Sequence, residues 1–398
     1  MRSYILFTHL IITIETIMQY SLNYFINKYI YPSHKLAKDK SNISNVKTFQ
    51  HDPKPTNYST NPITTNSDNL LNTKSNPSYK HNIDVEKVLK DIVDDLQNQL
   101  HLGEVASYIP ELLNVKKEQL GVAIATLDGK VYAAGDSNKP FSIQSISKIF
   151  SLTKAKQLLG DDLWTRVSRL PSNDPFNDII KIDQNNGIPS NPCMNAGALV
   201  TTDVLYRASN KNSKNSVLHL VKKLSGNDNI YINTKVSASE MSCSHRNMAI
   251  ANLIKSFGNL TNKPKDVVQL YTNNCAIEMT CEELAKSFLY LANNGIMPMS
   301  NSKIIDCDAT KQINGIMHTC GGYGESGELS AKIGYPLKTG VGGGIVVIVP
   351  NFGVITAWHP ALNEHHNTYV GSIAVERITE RLHLYIQNYV QKRLNVRH

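Results

Sequence analysis

The chain has 398 residues, 41% of them hydrophobic, with 41 Lys/Arg against 33 Asp/Glu and a formal net charge of +8. That length suits two domains or one large α/β domain. The excess charge sits at the start, nine Lys/Arg against four Asp/Glu in residues 1–83 and 32 against 29 beyond; no Lys/Arg run interleaves with aromatics, which excludes a nucleic-acid surface.

Six cysteines (193, 243, 275, 281, 307, 320) form no C-x-x-C pair and no metal-ligand spacing. They are expected to be reduced, buried thiols of a cytoplasmic protein. Residues 1–31 are apolar and aromatic, but His9 and Glu15 interrupt the run. The unbroken stretch is short for a bilayer, so no stable membrane span is expected. Three readings stay open for it: a start that is not the natural one, a weak membrane-associated helix, and a signal segment lacking an A-x-A-like site. Residues 32–82 are rich in Asn, Ser, Thr, Pro and Lys, the composition of a disordered linker.

Order is expected from residue 83. Asp84 is a plausible N-cap before Val85, Val88, Leu89, Ile92, Val93 and Leu96, which recur at helical spacing. Residues 121–135 read as a hairpin turning at Asp128-Gly129. Pro140-Phe-Ser-Ile-Gln-Ser145 then leads into a helical run from Ile146 to Leu159. Ser145 therefore stands where a loop enters a helix, beside the free N–H groups that favour negative charge. Residues 160–300 read as a mainly helical insertion, with a helix over 248–257 and another opening with a Thr280/Glu283 capping box. Strands return at 344–349 and 354–358 around Pro350-Asn-Phe-Gly353, and a last helix is expected from Ile373 to Leu394. Strands at both ends with helices between predict an α+β fold, an antiparallel sheet built from distant segments.

Ser145-Ile-Ser-Lys148 and Lys338-Thr-Gly340 are the chemical signal. A Ser-x-x-Lys turn and a Lys-Thr-Gly strand are elements of the serine acyl-transferases built like β-lactamases and penicillin-binding proteins. Ser-x-x-Lys alone says little, since Ser44/Lys47, Ser151/Lys154 and Ser300/Lys303 repeat it. Lys148 follows Ser145 by about one helical turn, within reach of its hydroxyl. To act as base it must be neutral, which burial and the cation Lys338 would favour. The glycines at 340 and 342–344 follow their lysine, which excludes a phosphate-binding P-loop.

From about Asp84 onward the chain resembles the serine-dependent glutaminases, of the bacterial and mitochondrial type that shares the β-lactamase-like fold. Six segments in order carry the resemblance: Pro140–Lys148, Gly187–Gly197, Ser239-Glu240 with His245-Arg-Asn247, Tyr271–Cys275, Cys320–Tyr323 and Lys338–Gly344. It implies one catalytic domain over 83–398 that hydrolyses L-glutamine to L-glutamate and ammonia through a γ-glutamyl ester of Ser145, without cofactor or metal, in a homodimer or homotetramer. It implies Tyr323 for activating the serine or the deacylating water, and Tyr271 for the leaving group and substrate. Val341 N–H and Ser145 N–H would form the oxyanion hole. Glu240 would meet the substrate α-ammonium, and Asn195, Asn247 and Tyr108 its α-carboxylate. Seven residues separate Glu240 from Asn247, two turns if the segment is one helix.

The chain departs from the family pattern. Gly324-Glu325-Ser326 replaces an aspartate followed by small residues, which predicts a looser loop around Tyr323. Tyr335 and Thr339 replace an aliphatic and a serine, and Ser190 a basic residue. Two other readings compete: a β-lactam or D-Ala-D-Ala acyl-transferase, which needs export, and a glutamine-binding module that has lost turnover.

Overall fold

Three segments, 121–126, 344–349 and 353–358, are apolar almost without interruption, and such strands are stable only when both faces of their sheet are covered. The computed structural model describes residues 83–172, 179–208 and 215–395. Segments 1–31 and 32–82 lie outside the described residues. Strands β1 (Glu104–Val105), β2 (Gly121–Thr126), β3 (Val131–Gly135), β4 (Phe141–Ser142), β5 (Tyr231–Ile232), β6 (Ile277–Met279), β7 (Leu337–Gly340), β8 (Gly344–Val349), β9 (Gly353–Trp358) and β10 (Ala361–Leu362) follow in chain order. Five make an antiparallel sheet in the order β3-β2-β9-β8-β7, so the first hairpin is inserted beside the last.

Period-two alternation sends Val122, Ile124, Ile345, Val347, Ile355 and Ala357 to one face and Ala123, Ala125, Val346, Ile348, Val354 and Trp358 to the other. The first face is covered by the helices Val85–Leu96 and Tyr369–Arg381, and the second by the helical layer, including Ser147–Leu159 and Cys281–Ser287. Each fully buried Ile or Val contributes roughly 1.5–3 kcal/mol, so the central strands anchor both layers.

Local chemistry sets the boundaries. Asp84 accepts from Lys87 N at 3.1 Å and starts the first helix as expected. Gly129 takes φ +88° in the turn between β2 and β3. The Thr280/Glu283 capping box is present. Two expected helices are broken. The run after Thr280 divides into Cys281–Ser287 and Leu289–Ala292, and the C-terminal helix into Tyr369–Arg381 and His383–Asn395 around the buried Leu382. The helical stretch between β3 and β7 also carries a small sheet, β4-β6-β5. Cys193, Cys275, Cys281 and Cys320 are buried free thiols, but Cys243 and Cys307 are exposed, contrary to the expectation for all six. Among the described residues no helix is long and apolar enough to cross a membrane.

Candidate active site

Ser145 lies in a 3-10 turn, Gln144–Ile146, that runs into the helix Ser147–Leu159. Gln144 takes φ +47°, a sharp bend that delivers the serine to the helix start. The Lys338–Gly344 segment packs on this turn backbone to backbone. A Cβ on Gly340 would lie 2.4 Å from Ile143 O and 3.3 Å from Ser145 N, and one on Gly342 2.0 Å from Ser142 O. Glycine is required there by closeness, and the contact brings the main chain of Ser145 next to that of Val341.

A cavity of ≈ 270 Å³ opens at this junction. Ser145, Tyr108, Asn195, Glu240, Asn247, Tyr271, Tyr323 and Val341, expected from seven separate stretches of sequence, all line it. Ile109, Gln144, Cys243, Ser244, Arg246 and His366 line it too and were not anticipated. Of these, Gln144 and Cys243–Arg246 sit inside or beside the motifs already singled out. His366 lies on the loop after β10, where nothing local marks it.

Asn195 ties the polar floor together. Its Oδ1 accepts from Lys148 Nζ at 2.7 Å and from Tyr271 OH at 3.3 Å, while its Nδ2 donates to Asn247 Oδ1 at 2.9 Å. Lys148 also donates to the Cys193 carbonyl at 3.0 Å. Burial pushes its amine down to about 8. Lys338, fully buried, donates to Gly321 O at 3.0 Å and Thr339 O at 2.7 Å, and lies 4.4 Å from the centre of the Tyr323 ring. Burial, with Lys148 as a like charge, pushes it down to about 7. Neither lysine lines the cavity; both lie beneath its wall. Of the two influences expected on Lys148, burial is the one that lowers it; Lys338 is not among the charges that shift it.

Lys148 Nζ is engaged with Asn195 and Cys193, and the Tyr323 side chain is the one hydrogen-bonded to Ser145. The Tyr323 hydroxyl also donates to Thr339 O at 3.4 Å. Burial raises the hydroxyls of Tyr323, Tyr271 and Tyr108 above their ordinary value, so each is a neutral donor. Tyr108 is 49% exposed as a residue and lines the cavity.

Glu240 is 7% exposed, and its Oε2 has no hydrogen-bond partner among the described residues. Burial pushes this carboxyl up to about 8, although Lys148, Gln144 and Cys275 pull the other way. Glu240 and Asn247 do not share one helix. Thr234–Ser242 ends and His245–Ser256 begins between them. Ser242 Oγ donates to Ser239 O at 2.7 Å, Cys243 Sγ to Ser239 O at 3.1 Å and Ser244 Oγ to Glu240 O at 2.7 Å. These side chains engage carbonyls at the helix end, where the chain bends. The bend still presents Glu240 and Asn247 to the same cavity.

The loop around Tyr323 is braced, not loosened. Ser326 Oγ donates to Tyr323 O at 2.8 Å and accepts from Gly322 N at 2.9 Å, and Glu325 accepts from Asn363 and Asn367. Thr339 Oγ1 donates to Asn367 Oδ1 at 2.7 Å, Tyr335 packs against the sheet's first face, and Ser190 is buried. Among the described residues no cluster of His, Cys, Asp or Glu is arranged to hold a metal ion.

Helices combine with an antiparallel sheet, and one cavity gathers a bent serine turn and the unpartnered Oε2 of Glu240. A family profile described as Glutaminase matches residues 103–386. The chain is 44% identical over 298 residues to the glutaminase of Aliivibrio salmonicida (strain LFI1238), covering 75% of this chain and 97% of that protein. It is 42% identical over 292 residues to the glutaminase of Paraburkholderia phytofirmans, 73% of this chain and 96% of that protein. A probable glutaminase from Bacillus subtilis, solved in complex with 6-diazo-5-oxo-L-norleucine, matches with TM-score 0.69 and 30% identity over 76% of this chain and 97% of that one. The chain belongs to the glutaminase family.

Proposed function

We propose that the chain hydrolyses the side-chain amide of L-glutamine to L-glutamate and ammonia through a γ-glutamyl ester of Ser145. One observation carries this reading: a small cavity gathers Ser145 and the buried, unpaired Oε2 of Glu240. A buried carboxyl with one oxygen left without a partner is costly to ionise unless a cation meets it, and the α-ammonium of a free amino acid is such a cation. A peptide lacks that ammonium and would leave Glu240 unpaired, so the site selects the free amino acid. Asn195, Asn247 and Tyr108 supply neutral donors for the α-carboxylate.

In the first half-reaction Ser145 Oγ bonds to the amide carbon. The carbonyl oxygen becomes anionic and takes the N–H groups of Ser145 and Val341. The serine proton passes through the Tyr323 hydroxyl or Lys148 and reaches the departing nitrogen, with Tyr271 beside the leaving group. The C–N bond breaks and ammonia leaves. Water then attacks the ester, returning a proton to Ser145 Oγ and releasing glutamate. Lys338 keeps Tyr323 aligned from beneath.

Residues 83–398 are read as the catalytic domain with its helical insertion at about 160–300, and the fold as β-lactamase-like. The Ser-x-x-Lys and Lys-Thr-Gly elements support that fold reading. A homodimer or homotetramer and a cytoplasmic location complete the proposal, resting on the family and on the cysteine pattern. A β-lactam acyl-transferase has no use for Glu240, and the bracing around Tyr323 removes the support for a binder without turnover.

Ammonia and glutamate release from L-glutamine by the full chain tests the reading, with Nα-acetyl-L-glutamine alongside. Stoichiometric release from L-glutamine and little from the acetylated analogue is expected. A folded chain that releases neither product would overturn it.

A further inference from the structure

Tyr323 opens the 3-10 turn Tyr323–Glu325 with φ +52°, a conformation that a bulky residue keeps only where its surroundings hold it. Ser326 supports it locally. The second support comes from far along the chain. Glu325 Oε2 accepts from Asn363 Nδ2 at 2.8 Å and from Asn367 Nδ2 at 2.6 Å. Asn367 is fully buried; its Nδ2 also donates to Gly322 O at 3.0 Å, and its Oδ1 accepts from Thr339 Oγ1 at 2.7 Å. The Thr339 carbonyl in turn accepts from the Tyr323 hydroxyl and from Lys338. Both ends of Tyr323 are therefore tied to Asn367, the backbone through Gly322 and the hydroxyl through Thr339. Asn363 Oδ1 closes the loop by accepting from His365 N and Asn367 N, each at 3.0 Å.

We propose that Glu325 is a positioning residue for the reaction at Ser145. Its carboxylate pins the 363–367 loop against the Tyr323 turn and so holds the tyrosine hydroxyl on the serine. Glu325 does not line the cavity, so it acts through Tyr323 and not on substrate. The proposal rests on the hydrolase reading of the site. A charged acceptor for two amide donors makes stronger bonds than a neutral one, and a small displacement of a catalytic group costs far more rate than affinity.

The test is steady-state kinetics on L-glutamine for the full chain and for Glu325→Ala, Glu325→Gln and Asn363→Ala. Glu325→Ala is expected to lower kcat about tenfold to a hundredfold with KM held within about threefold, because Glu240, Asn195 and Asn247 stand on other elements. Glu325→Gln keeps one carbonyl oxygen for both asparagines and is expected to recover most of kcat. Asn363→Ala removes one of the two donors and is expected to give a smaller loss, again in kcat alone. This variant keeps the proposal testable where Glu325→Ala fails to fold. An active parent whose Glu325→Ala and Asn363→Ala variants keep kcat within about twofold would overturn the role of Glu325 and leave the hydrolase reading intact. So would losses that fall on KM as much as on kcat, or no recovery with glutamine. An inactive parent would overturn both.

Discussion

Glu240→Gln isolates the contribution of the unpaired carboxylate. Burial pushes Glu240 up to about 8. At pH 7 it is mostly protonated and must ionise to meet the substrate ammonium, at roughly 1 kcal/mol for the one unit of difference. Truncating one partner of a buried, hydrogen-bonded charge pair costs roughly 2–5 kcal/mol. The difference leaves about 1–4 kcal/mol for the pair at pH 7, so the substitution is expected to raise KM about fivefold to nearly a thousandfold, with kcat changed much less. A raised carboxyl pKa means the binding form gains population as pH rises. Parent KM is therefore expected to fall about eightfold between pH 7 and 8.5, as the ionised fraction grows. Glutamine at position 240 does not titrate, so the variant's KM is expected to stay flat. Ammonia release measured over a range of L-glutamine concentrations at the two pH values decides it. An unchanged KM in the variant, or the same pH dependence in both proteins, would refute the pairing.

Ser145→Ala is expected to reduce ammonia release by at least about a thousandfold while calorimetry still detects L-glutamine binding; retained turnover would remove the nucleophile assignment. The parent kcat is expected to fall as pH drops below about 8, because Lys148 acts as base only when neutral. A kcat independent of pH between 6 and 8 would count against Lys148. Gly342→Ala would set a methyl group 2.0 Å from Ser142 O and must part the strand from the serine turn; a loss of both melting temperature and turnover is expected, and a variant indistinguishable from the parent would contradict the close packing. Asp203 is fully buried, and although burial raises its carboxyl, hydrogen bonds from Arg166, Thr261 and Asn262 hold it below the ordinary value. A depressed carboxylate stabilises above its ordinary pKa and loses that contribution as pH falls through the folded value. Asp203→Ala is expected to cost about 3–5 kcal/mol near neutrality, with the gap closing in acid; a melting curve unchanged at pH 7 would argue otherwise.

The most readable parts of this fold are those written in local chemistry. The Asp84 cap, the Asp128-Gly129 turn and the Thr280 capping box each need only a few neighbouring residues. The strands at 344–349 and 354–358 announce themselves by unbroken apolar runs. The pocket was legible for another reason: the motifs that carry the family resemblance contain most of its lining. What stayed hidden depends on contacts between distant segments. Leu382 stands at the break in the last helix without a proline or glycine to mark it, and it is buried in the core on the sheet's first face. The helix end between Glu240 and Asn247 had a signal, the Ser242-Cys243-Ser244 run, whose side chains bond helix carbonyls. Glu325 looked like a loosening because its partners, Asn363 and Asn367, lie about forty residues away in sequence and are joined to it only by the fold.

The most direct test of the central claim is the site of covalent attachment by 6-diazo-5-oxo-L-norleucine, a glutamine analogue with a reactive diazoketone in place of the amide. Peptide mass mapping of the treated full chain is expected to place one adduct on the peptide that contains Ser145. Excess L-glutamine should prevent it, and Ser145→Ala should lack it. An adduct on another side chain of the pocket, such as Cys243 or Tyr323, with Ser145 unmodified in an enzyme that has lost activity, would contradict the account.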